Sequence, residues 1–441
     1  MRQIDTFEAA LAAIWDRSSW DRGFISNPFA GDDAARLGLR RTQAVLDRLD
    51  NPERDYAIVH VAGSKGKGST CVFIDAILRA SGRRTGRHLS PHLHDWRERF
   101  VVDNAMVSKE EFVELTRDGV AAVETVEAEQ PELGRITAFE MTTAMALLWF
   151  RRARCEAVVL EVGLGGTLDA TNVVDPAVTA ITPLDFEHTA ILGETMAEIA
   201  TNKAGIIKPR RPVVSAAQPT EGLDVIEARA AAFDAPLLVA ERDFTTTGTD
   251  RDFTATGPWG TIEHLGTRLA GQHQTQNATL AIAAVHALRW GIDAEAVRAG
   301  IGAATLAGRF EEVRLESGQI VIIDGAHSER SAAALAATLR ERYPGTAPAV
   351  VVGMLRDKEP GSVLPPLAAL ADHWIATEPD SPRALPVAEL ASALASLDAQ
   401  VAISDTVANA LAGAIRAGHP VIVVTGSLTT VAEARVALGL A

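Results

Sequence analysis

Short runs of apolar residues alternate with segments of helical spacing along most of this chain. The first run, residues 56–62, is rich in β-forming residues and predicts a buried strand, and residues 71–80 after it have the spacing of a helix. Further strands are predicted at 157–163, 177–183, 212–217 and 236–240. Helical patterns lie between several of them, so we expect a mostly parallel sheet covered by helices on both faces.

The pattern changes twice further along the chain. Residues 243–267 alternate threonine, glycine and aromatic residues, which predicts a small antiparallel hairpin, and an alanine-rich helix is predicted at 276–290. A second α/β series then begins, with strands predicted at 319–327, 348–355, 373–379 and 420–428. We therefore predict two α/β domains, residues 1–302 and residues 303–441.

Composition favours a soluble globular protein. Of the 441 residues 47% are hydrophobic and 22% are charged, and no apolar stretch is long enough to span a membrane. Residues 1–20 lack the pattern of a secretory signal, so we expect a cytoplasmic protein. The net charge of −15 argues against nucleic-acid binding. Cys71 and Cys155 are too few for a disulfide framework or a zinc cage, and buried thiols are expected.

A glycine-rich segment, HVAGSKGKGST at 60–70, lies between the first predicted strand and its helix. Gly63, Gly66 and Gly68 allow backbone angles that other residues avoid, so successive N–H groups can converge on one anion at the positive end of the helix dipole. Lys67 adds a mobile cation for the terminal phosphates. Gly68 stands where the usual phosphate loop has a metal-binding hydroxyl. Nucleotide binding is nevertheless favoured over a flexible surface turn.

Polar residues follow other predicted strands as well. Glu161 ends one strand, and Glu187 and His188 follow the next. Because ligands bind at the carboxyl ends of parallel strands and Mg²⁺ prefers oxygen donors, Glu161 is a candidate magnesium ligand. The competing interpretations are a solvated glutamate and a hydrogen-bonded core histidine. Segments 88–100 and 324–329 add further polar groups, and if all of these converge, the site lies in the cleft between the two domains.

The order and spacing of eight segments carry a family resemblance. They are residues 63–69, LSPHL at 89–93, EVGLGGTLDATNV at 161–173, EHTAILG at 187–193, KAGIIKP at 203–209, GRFEEV at 308–313, DGAH at 324–327 and VTGSL at 424–428. Together they resemble the folylpolyglutamate synthase/dihydrofolate synthase family of the Mur ligase superfamily, across nearly the whole chain. The resemblance implies an α/β fold: a P-loop-containing Mur-ligase-type ATPase domain with a mostly parallel sheet, and a smaller Rossmann-like α/β domain at the C-terminus.

The resemblance also implies roles for individual residues. The implied cofactors are ATP, bound by Gly63, Ser64, Lys65, Gly66, Lys67, Gly68, Ser69, Asn277, Arg309 and Asp324, and magnesium, bound by Ser90, Glu161 and His188. The implied catalytic residues are Lys67, His188, Lys203, Asp324 and His327, and Lys203 matches a lysine that family members often carry as a carbamate. The pterin end of the substrate is expected at Thr137, Phe139, Glu140, Asp169 and Ala170. Asp169 has a competing interpretation, as the cap of the turn that begins DATN.

The implied reaction is an ATP-dependent ligation. ATP phosphorylates a carboxylate, and the amino group of L-glutamate displaces the phosphate to form an amide. The family's acceptors are dihydropteroate and reduced folates, and we predict a bifunctional enzyme that uses both, as a monomer. The residues that differ from those common in the family are Ser64, Lys65, Thr167, Glu187 and Ser328, and none of these changes removes a group assigned to ATP or metal.

Two other functions compete with this interpretation. Another Mur-type amino-acid ligase would act on a different carboxylate substrate, such as a sugar-nucleotide peptide, but the roughly 60 residues before the phosphate loop are too few for the extra domain that such enzymes carry. A nucleotide-binding regulatory relative without catalysis is expected to lack Lys67, Glu161 or His188, and all three are present.

Overall fold

The computed structural model describes residues 4–18, 32–371, 373–397 and 399–441. The chain divides into two compact units: unit 1 comprises residues 1–268 and 274–304, and unit 2 comprises residues 269–273 and 305–441. The domain boundary predicted after residue 302 stays a prediction, because compactness does not show that each part folds alone. The prediction that residues 1–20 lack a secretory signal concerns a segment that lies partly outside the described residues.

Unit 1 alternates strands and helices through most of its length. Its described helices are α1 (Phe7–Trp15), α2 (Asp32–Arg48), α3 (Lys67–Ala80), α4 (Lys109–Glu129), α5 (Ala138–Arg152), α6 (Thr189–Leu192), α7 (Met196–Ala204), α8 (Thr220–Ala232), α9 (Gln272–Ala287) and α10 (Ala294–Ala303). The strands of its large sheet are β1 (Ala57–Ala62), β2 (Thr85–His88), β3 (Val101–Val102), β4 (Ala105–Met106), β5 (Ala157–Glu161), β6 (Val178–Ile181), β7 (Val213–Ser215) and β8 (Leu237–Val239).

The large sheet determines which loops meet. Its strand order is β4-β3-β2-β5-β1-β6-β7-β8, and the strands from β2 to β8 in this order run parallel. All residues of β5 and β6 are buried, as expected for central strands with both faces covered. Because β2, β5, β1 and β6 are neighbours, the four loops that follow them gather at one carboxyl edge of the sheet.

The strands predicted for this sheet are confirmed, in shortened form, by β1, β5, β6, β7 and β8. The first helix differs from the prediction: α3 begins at Lys67 and not at residue 71, because Gly66 takes a left-handed conformation and the helix starts directly after it. Gly68 lies in the first turn of α3. The prediction that Gly68 supplies an unusual backbone angle is therefore wrong.

A second, smaller sheet of unit 1 consists of β9 (Thr245–Thr249), β10 (Asp252–Gly257) and β11 (Gly260–Leu265). These strands are antiparallel, in the order β11-β10-β9. The antiparallel pairing agrees with the prediction, but the predicted hairpin has two strands and the sheet has three. The segment has two tight turns, at 250–251 and 258–259, so a third strand joins the sheet.

Unit 2 has its own sheet and helices. The strands are β12 (Glu311–Arg314), β13 (Ile320–Ile323), β14 (Ala349–Val352), β15 (His373–Thr377), β16 (Gln400–Ser404) and β17 (Val421–Thr425), and the described helices are α11 (Glu329–Arg342), α12 (Pro360–Val363), α13 (Pro365–Ala368), α14 (Val387–Ala395), α15 (Val407–Arg416) and α16 (Leu428–Ala437). The order is β12-β13-β17-β14-β15-β16, with only the edge strand β12 antiparallel among these strands. This arrangement confirms the predicted second α/β series.

The two cysteines are buried free thiols, as predicted. Burial raises the pKa of Cys155 to about 12 and that of Cys71 well above its ordinary value. Both thiols are therefore protonated at neutral pH and behave as small apolar core residues.

Candidate active site

The phosphate loop, residues 63–69, joins β1 to α3. Gly63 and Gly66 have φ angles of +145° and +82°, which residues with a side chain rarely adopt. A Cβ atom on Gly63 would lie 1.9 Å from Thr182 Oγ1, and one on Gly66 would lie 2.5 Å from Asn277 Oδ1. Glycine is therefore required at both positions. The loop leads directly into the N-terminal turn of α3, where backbone N–H groups favour an anion.

Part of the phosphate loop is bonded to the loop that follows β6. The backbone N–H groups of Ser64 and Lys65 both donate to Pro183 O at 3.1 Å, and Ser64 Oγ donates to Asp185 O at 3.0 Å. Ser64 is 5% exposed. Its hydroxyl and its N–H are thus used inside the protein, and these bonds do not support its predicted contact with ATP.

Glu187, in the loop after β6, lies among the cations of this edge. Lys65 Nζ is 3.3 Å from Glu187 Oε2, and His188 Nε2 is 3.6 Å from Glu187 Oε1. Burial raises the pKa of Glu187, but nearby positive charges, Lys67 and Lys65 first, outweigh it and lower the pKa to about 2. Glu187 is therefore ionised at neutral pH and balances part of the lysine charge.

Lys203 lies on α7, and its side chain reaches the phosphate loop. Its Nζ donates a hydrogen bond to Gly63 O at 2.8 Å, and only 4% of the residue is exposed. Burial, followed by the charge of Lys67, lowers the pKa of Lys203 to about 7. A large fraction of this amine is therefore neutral at neutral pH, which is the form that reacts with carbon dioxide.

The glycine-rich loop after β5 holds the end of α7. Thr167 donates to Asn202 O from its N–H at 2.7 Å and from its Oγ1 at 2.9 Å. Asn172 Nδ2 donates to Gly205 O at 3.2 Å. These bonds fix the last turn of α7, and with it Lys203, against that loop.

Ser90 and Glu161 are neighbours at the same edge. The Ser90 N–H donates to Glu161 Oε2 at 2.9 Å, and Glu161 is 5% exposed at the end of β5. A hydroxyl beside a carboxylate fits the preference of Mg²⁺ for oxygen ligands. Within the described residues, no three His, Cys, Asp or Glu side chains form a cluster ready to hold a metal ion. The predicted set of Ser90, Glu161 and His188 therefore depends on the serine hydroxyl and stays a prediction.

Asp169 is 3% exposed and caps the turn Ala170–Val173. Its Oδ2 accepts from Leu164 N at 2.8 Å, and its Oδ1 accepts from Thr171 N at 2.9 Å and from Thr171 Oγ1. Burial raises the pKa of Asp169. The geometry supports the competing interpretation as a turn cap, because both oxygens already have partners in the loop. The contact with the pterin stays a prediction, as does the contact of the buried Ala170.

The other residues assigned to the pterin lie at the N-terminus of α5. Thr137 and Glu140 form a capping box, with Thr137 N donating to Glu140 Oε2 at 2.8 Å. Arg41 of α2 donates to both oxygens of Glu140, at 2.7 Å and 2.9 Å. The ring of Phe139 lies against Gly163, in the loop that Asp169 caps. Sequence reasoning missed Arg41, because no pattern links it to a carboxylate 99 positions away.

Asn277 lies on α9 beside the phosphate loop. Its Nδ2 donates to Gln274 Oε1 at 3.0 Å, while its side-chain oxygen lies close to Gly66. The structure thus brings Asn277 together with the phosphate loop. The predicted contact with adenine stays a prediction.

The candidate residues of unit 2 lie around the loop after β13. Asp324 Oδ2 accepts a hydrogen bond from Phe310 N at 2.8 Å, and burial raises the pKa of Asp324 although the Arg309 guanidinium opposes this. His327 Nδ1 lies 2.7 Å from Gly325 O. The structure therefore gathers Arg309, Asp324 and His327 in one place. That they face the phosphate loop across a cleft stays a prediction.

Comparison with known proteins identifies the class and then the family. Residues 104–285 match the Mur ligase middle domain, and residues 308–428 match the Mur ligase glutamate ligase domain. The chain is 35% identical to the dihydrofolate synthase/folylpolyglutamate synthase of Mycobacterium tuberculosis, over 80% of this chain and 77% of that protein. It is 32% identical to the protein of the same name from Escherichia coli, over 90% of each. The chain therefore belongs to the dihydrofolate synthase/folylpolyglutamate synthase family.

Solved structures agree with this assignment. The Mycobacterium tuberculosis folylpolyglutamate synthase complexed with ADP superimposes with a TM-score of 0.88 at 32% identity, covering 98% of this chain and 99% of that one. E. coli FolC in complex with DHPP and ADP gives a TM-score of 0.86 at 30% identity, covering 100% and 99%. These similarities confirm the predicted fold class and the family resemblance of the motifs.

Proposed function

We propose that this chain is an ATP-dependent amide ligase that adds L-glutamate both to dihydropteroate and to the glutamate tail of reduced folates. The observation that carries the proposal is the carboxyl edge of the large sheet. There the phosphate loop, the Glu161–Ser90 pair and Lys203 come together on neighbouring elements. Relatives with this fold bind ADP and, in the E. coli protein, DHPP.

The proposed reaction has two steps. A carboxylate oxygen of the acceptor attacks the γ-phosphorus of ATP, and the bond to the ADP oxygen breaks. The neutral amino group of glutamate then attacks the acyl carbon, phosphate leaves with the bonding electrons, and the nitrogen loses a proton. Both partners of the first step are anions, so the enzyme must supply positive charge where they meet. We assign this task to Lys67, the first residue of α3.

Magnesium fits the oxygen donors at this edge, and Ser90, Glu161 and His188 are the residues that would hold it. When bound, the ion would offset the negative charge of the phosphates. The protein's own contribution is positional: the Ser90 N–H fixes one oxygen of Glu161, and Glu187 lies beside His188.

Phosphate release tests the proposed function. Purified protein with ATP and L-glutamate is expected to release phosphate when dihydropteroate is added, and also when a reduced folate is added. Release with one acceptor alone would make the enzyme monofunctional. Release with neither acceptor would contradict the proposal, and nucleotide binding without release would favour a regulatory relative.

Activity is expected to depend on bicarbonate, because we propose that Lys203 carries a carbamate. The neutral Nζ attacks carbon dioxide: an N–C bond forms, one C=O π bond opens with its electrons on oxygen, and the nitrogen loses a proton to solvent. The fraction of Lys203 that can react therefore rises as the pH passes the pKa of about 7. Protein stripped of carbon dioxide should lose activity and regain it when bicarbonate is added. Isotope-labelled bicarbonate should give a carbamate carbon signal by NMR.

The control for this experiment is a second lysine. Lys203→Met should remove the carbamate signal, whereas Lys208→Met should keep it, although burial also lowers the pKa of Lys208. A density map that shows a bare ammonium on Lys203 in active, metal-loaded enzyme would contradict the modification.

The proposal extends to location and assembly. None of the described helices is long and apolar enough to cross a membrane. We keep a cytoplasmic location and a monomeric state as predictions, which fractionation of cells and light scattering would check.

A further inference from the structure

Four described polar contacts join the phosphate loop to the loop after β6. Two are the backbone bonds of Ser64 and Lys65 to Pro183 O, and a third is the bond of the Ser64 hydroxyl to Asp185 O. The fourth is the ion pair between Lys65 Nζ and Glu187 Oε2 at 3.3 Å. The ion pair is the contact nearest to His188, so it joins the two loops at the point where the candidate metal ligand lies.

The conformation of His188 needs such support. Its φ angle is +52°, a left-handed conformation that is unfavourable for a residue with a side chain. It precedes α6, a helix of only four residues, which offers little stability of its own. The carboxylate of Glu187 lies beside it, with Oε1 3.6 Å from His188 Nε2. Glu187 thus contacts Lys65 with one oxygen and faces the imidazole with the other.

We propose that Lys65 is a positioning residue, which acts through Glu187 to hold His188 beside the phosphate loop and does not itself bind the phosphates of ATP. The inference rests on the proposed function and refines it. The Lys65 N–H donates to Pro183 O, and its ammonium lies 3.3 Å from Glu187 Oε2 as an ion pair, so the side chain is held towards the loop after β6. Only 20% of its side chain is exposed.

The two possible roles of Lys65 predict opposite effects of neutralising Glu187. If Lys65 binds phosphate directly, Glu187 competes with the nucleotide for it, and Glu187→Gln should strengthen nucleotide binding. If Lys65 positions His188 through Glu187, the substitution breaks the connection and nucleotide binding should weaken. The sign of the change therefore separates the two roles.

The test is a double-mutant cycle on nucleotide affinity. Lys65→Met, Glu187→Gln and the double variant are titrated by calorimetry with Mg²⁺ and a non-hydrolysable ATP analogue. Each single variant is expected to bind the analogue about fivefold less tightly or worse. The affinity of the double variant is expected to be no lower than that of the single variant with the lower affinity. Lys65→Arg, unlike Lys65→Met, should bind the analogue about as tightly as the wild-type protein. The KM for ATP should rise in the single variants while the KM for glutamate stays unchanged.

A second ion pair serves as the control. Arg211 and Asp175 form an exposed pair elsewhere in unit 1, and Arg211→Met with Asp175→Asn should leave nucleotide affinity unchanged. Thermal melting checks that every variant is folded, and Lys65→Gln with Glu187→Asp repeats the cycle if either variant is not.

Several results would overturn the inference: tighter binding by Glu187→Gln, additive losses in the double variant, or no change in either single variant. The proposed function fails separately. Wild-type protein that binds the analogue but releases no phosphate would contradict the ligase activity and leave the cycle interpretable, whereas wild-type protein that binds no nucleotide would overturn both.

Discussion

Replacing Lys67 by alanine is expected to lower the turnover of ligation by about a thousandfold or more while the protein stays folded. Lys67 is the first residue of α3 and is only partly buried, so its removal takes nothing from the core. Alanine is also the best helix former, and the helix should begin as before. We attribute the expected loss to the missing positive charge, because Lys67 is the side chain assigned to the oxygens of the phosphoryl group as it moves, in addition to magnesium.

The charge of Lys67 also acts on its neighbours. It is among the causes that lower the pKa of Lys203 and of Glu187. In Lys67→Ala the pKa of Lys203 should therefore rise, and less of its amine should be neutral at pH 7. Weaker labelling by bicarbonate in this variant would show that effect separately from catalysis.

Coupled assay of ADP release, with circular dichroism and thermal melting, checks the prediction. Lys109→Ala is the matched control, because Lys109 is the first residue of α4 and is exposed. It should leave turnover unchanged. A loss of only a few-fold in Lys67→Ala would contradict the role assigned to this lysine.

Asp169→Ala is expected to destabilise the protein and to weaken ATP and acceptor binding together. The substitution leaves the N–H groups of Leu164 and Thr171 without their acceptor in a buried loop, which costs about 1–3 kcal/mol for each unsatisfied group. The same loop holds the end of α7 through Thr167. Disorder of this loop should therefore also displace Lys203, which is bonded to the phosphate loop.

Separate titrations of ATP and dihydropteroate, with urea unfolding, decide the role of Asp169. Asp169→Asn retains an acceptor oxygen and should recover part of the stability. Acceptor affinity that falls alone, with ATP affinity and stability unchanged, would instead establish the contact with the pterin.

Much of the fold could be predicted because local patterns determine it. Apolar runs of strand length gave the central strands, and the glycine spacing gave the phosphate loop between β1 and α3. The start of α3 was predicted too late because glycine disfavours a helix interior, so Gly66 and Gly68 both indicated a turn. In the structure only Gly66 is left-handed, and Gly68 lies in the first turn of the helix.

For the candidate site, too, local sequence patterns predict some features and not others. Glu161 and the phosphate loop could be placed at one edge because both follow parallel strands. The pairing of Arg41 with Glu140 could not be predicted, since each residue alone resembles a solvated surface charge. The capping box of Thr137 and Glu140 did have a sequence signal, threonine followed three positions later by glutamate, and that signal favours a structural role for both.

The cluster of lysines around Glu187 also has consequences for how fast nucleotide arrives. With a net charge of −15, the protein as a whole repels a triphosphate, and at about 0.01 M salt the Debye length of about 30 Å lets this repulsion extend far into solution. Near 0.15 M salt the Debye length shrinks to about 8 Å, so charges further than this from the phosphate loop are screened, while Lys67 at the start of α3 can still attract a phosphate at short range. We therefore expect capture of ATP to be a short-range event, and moderate salt to accelerate an encounter that it would slow in a basic enzyme.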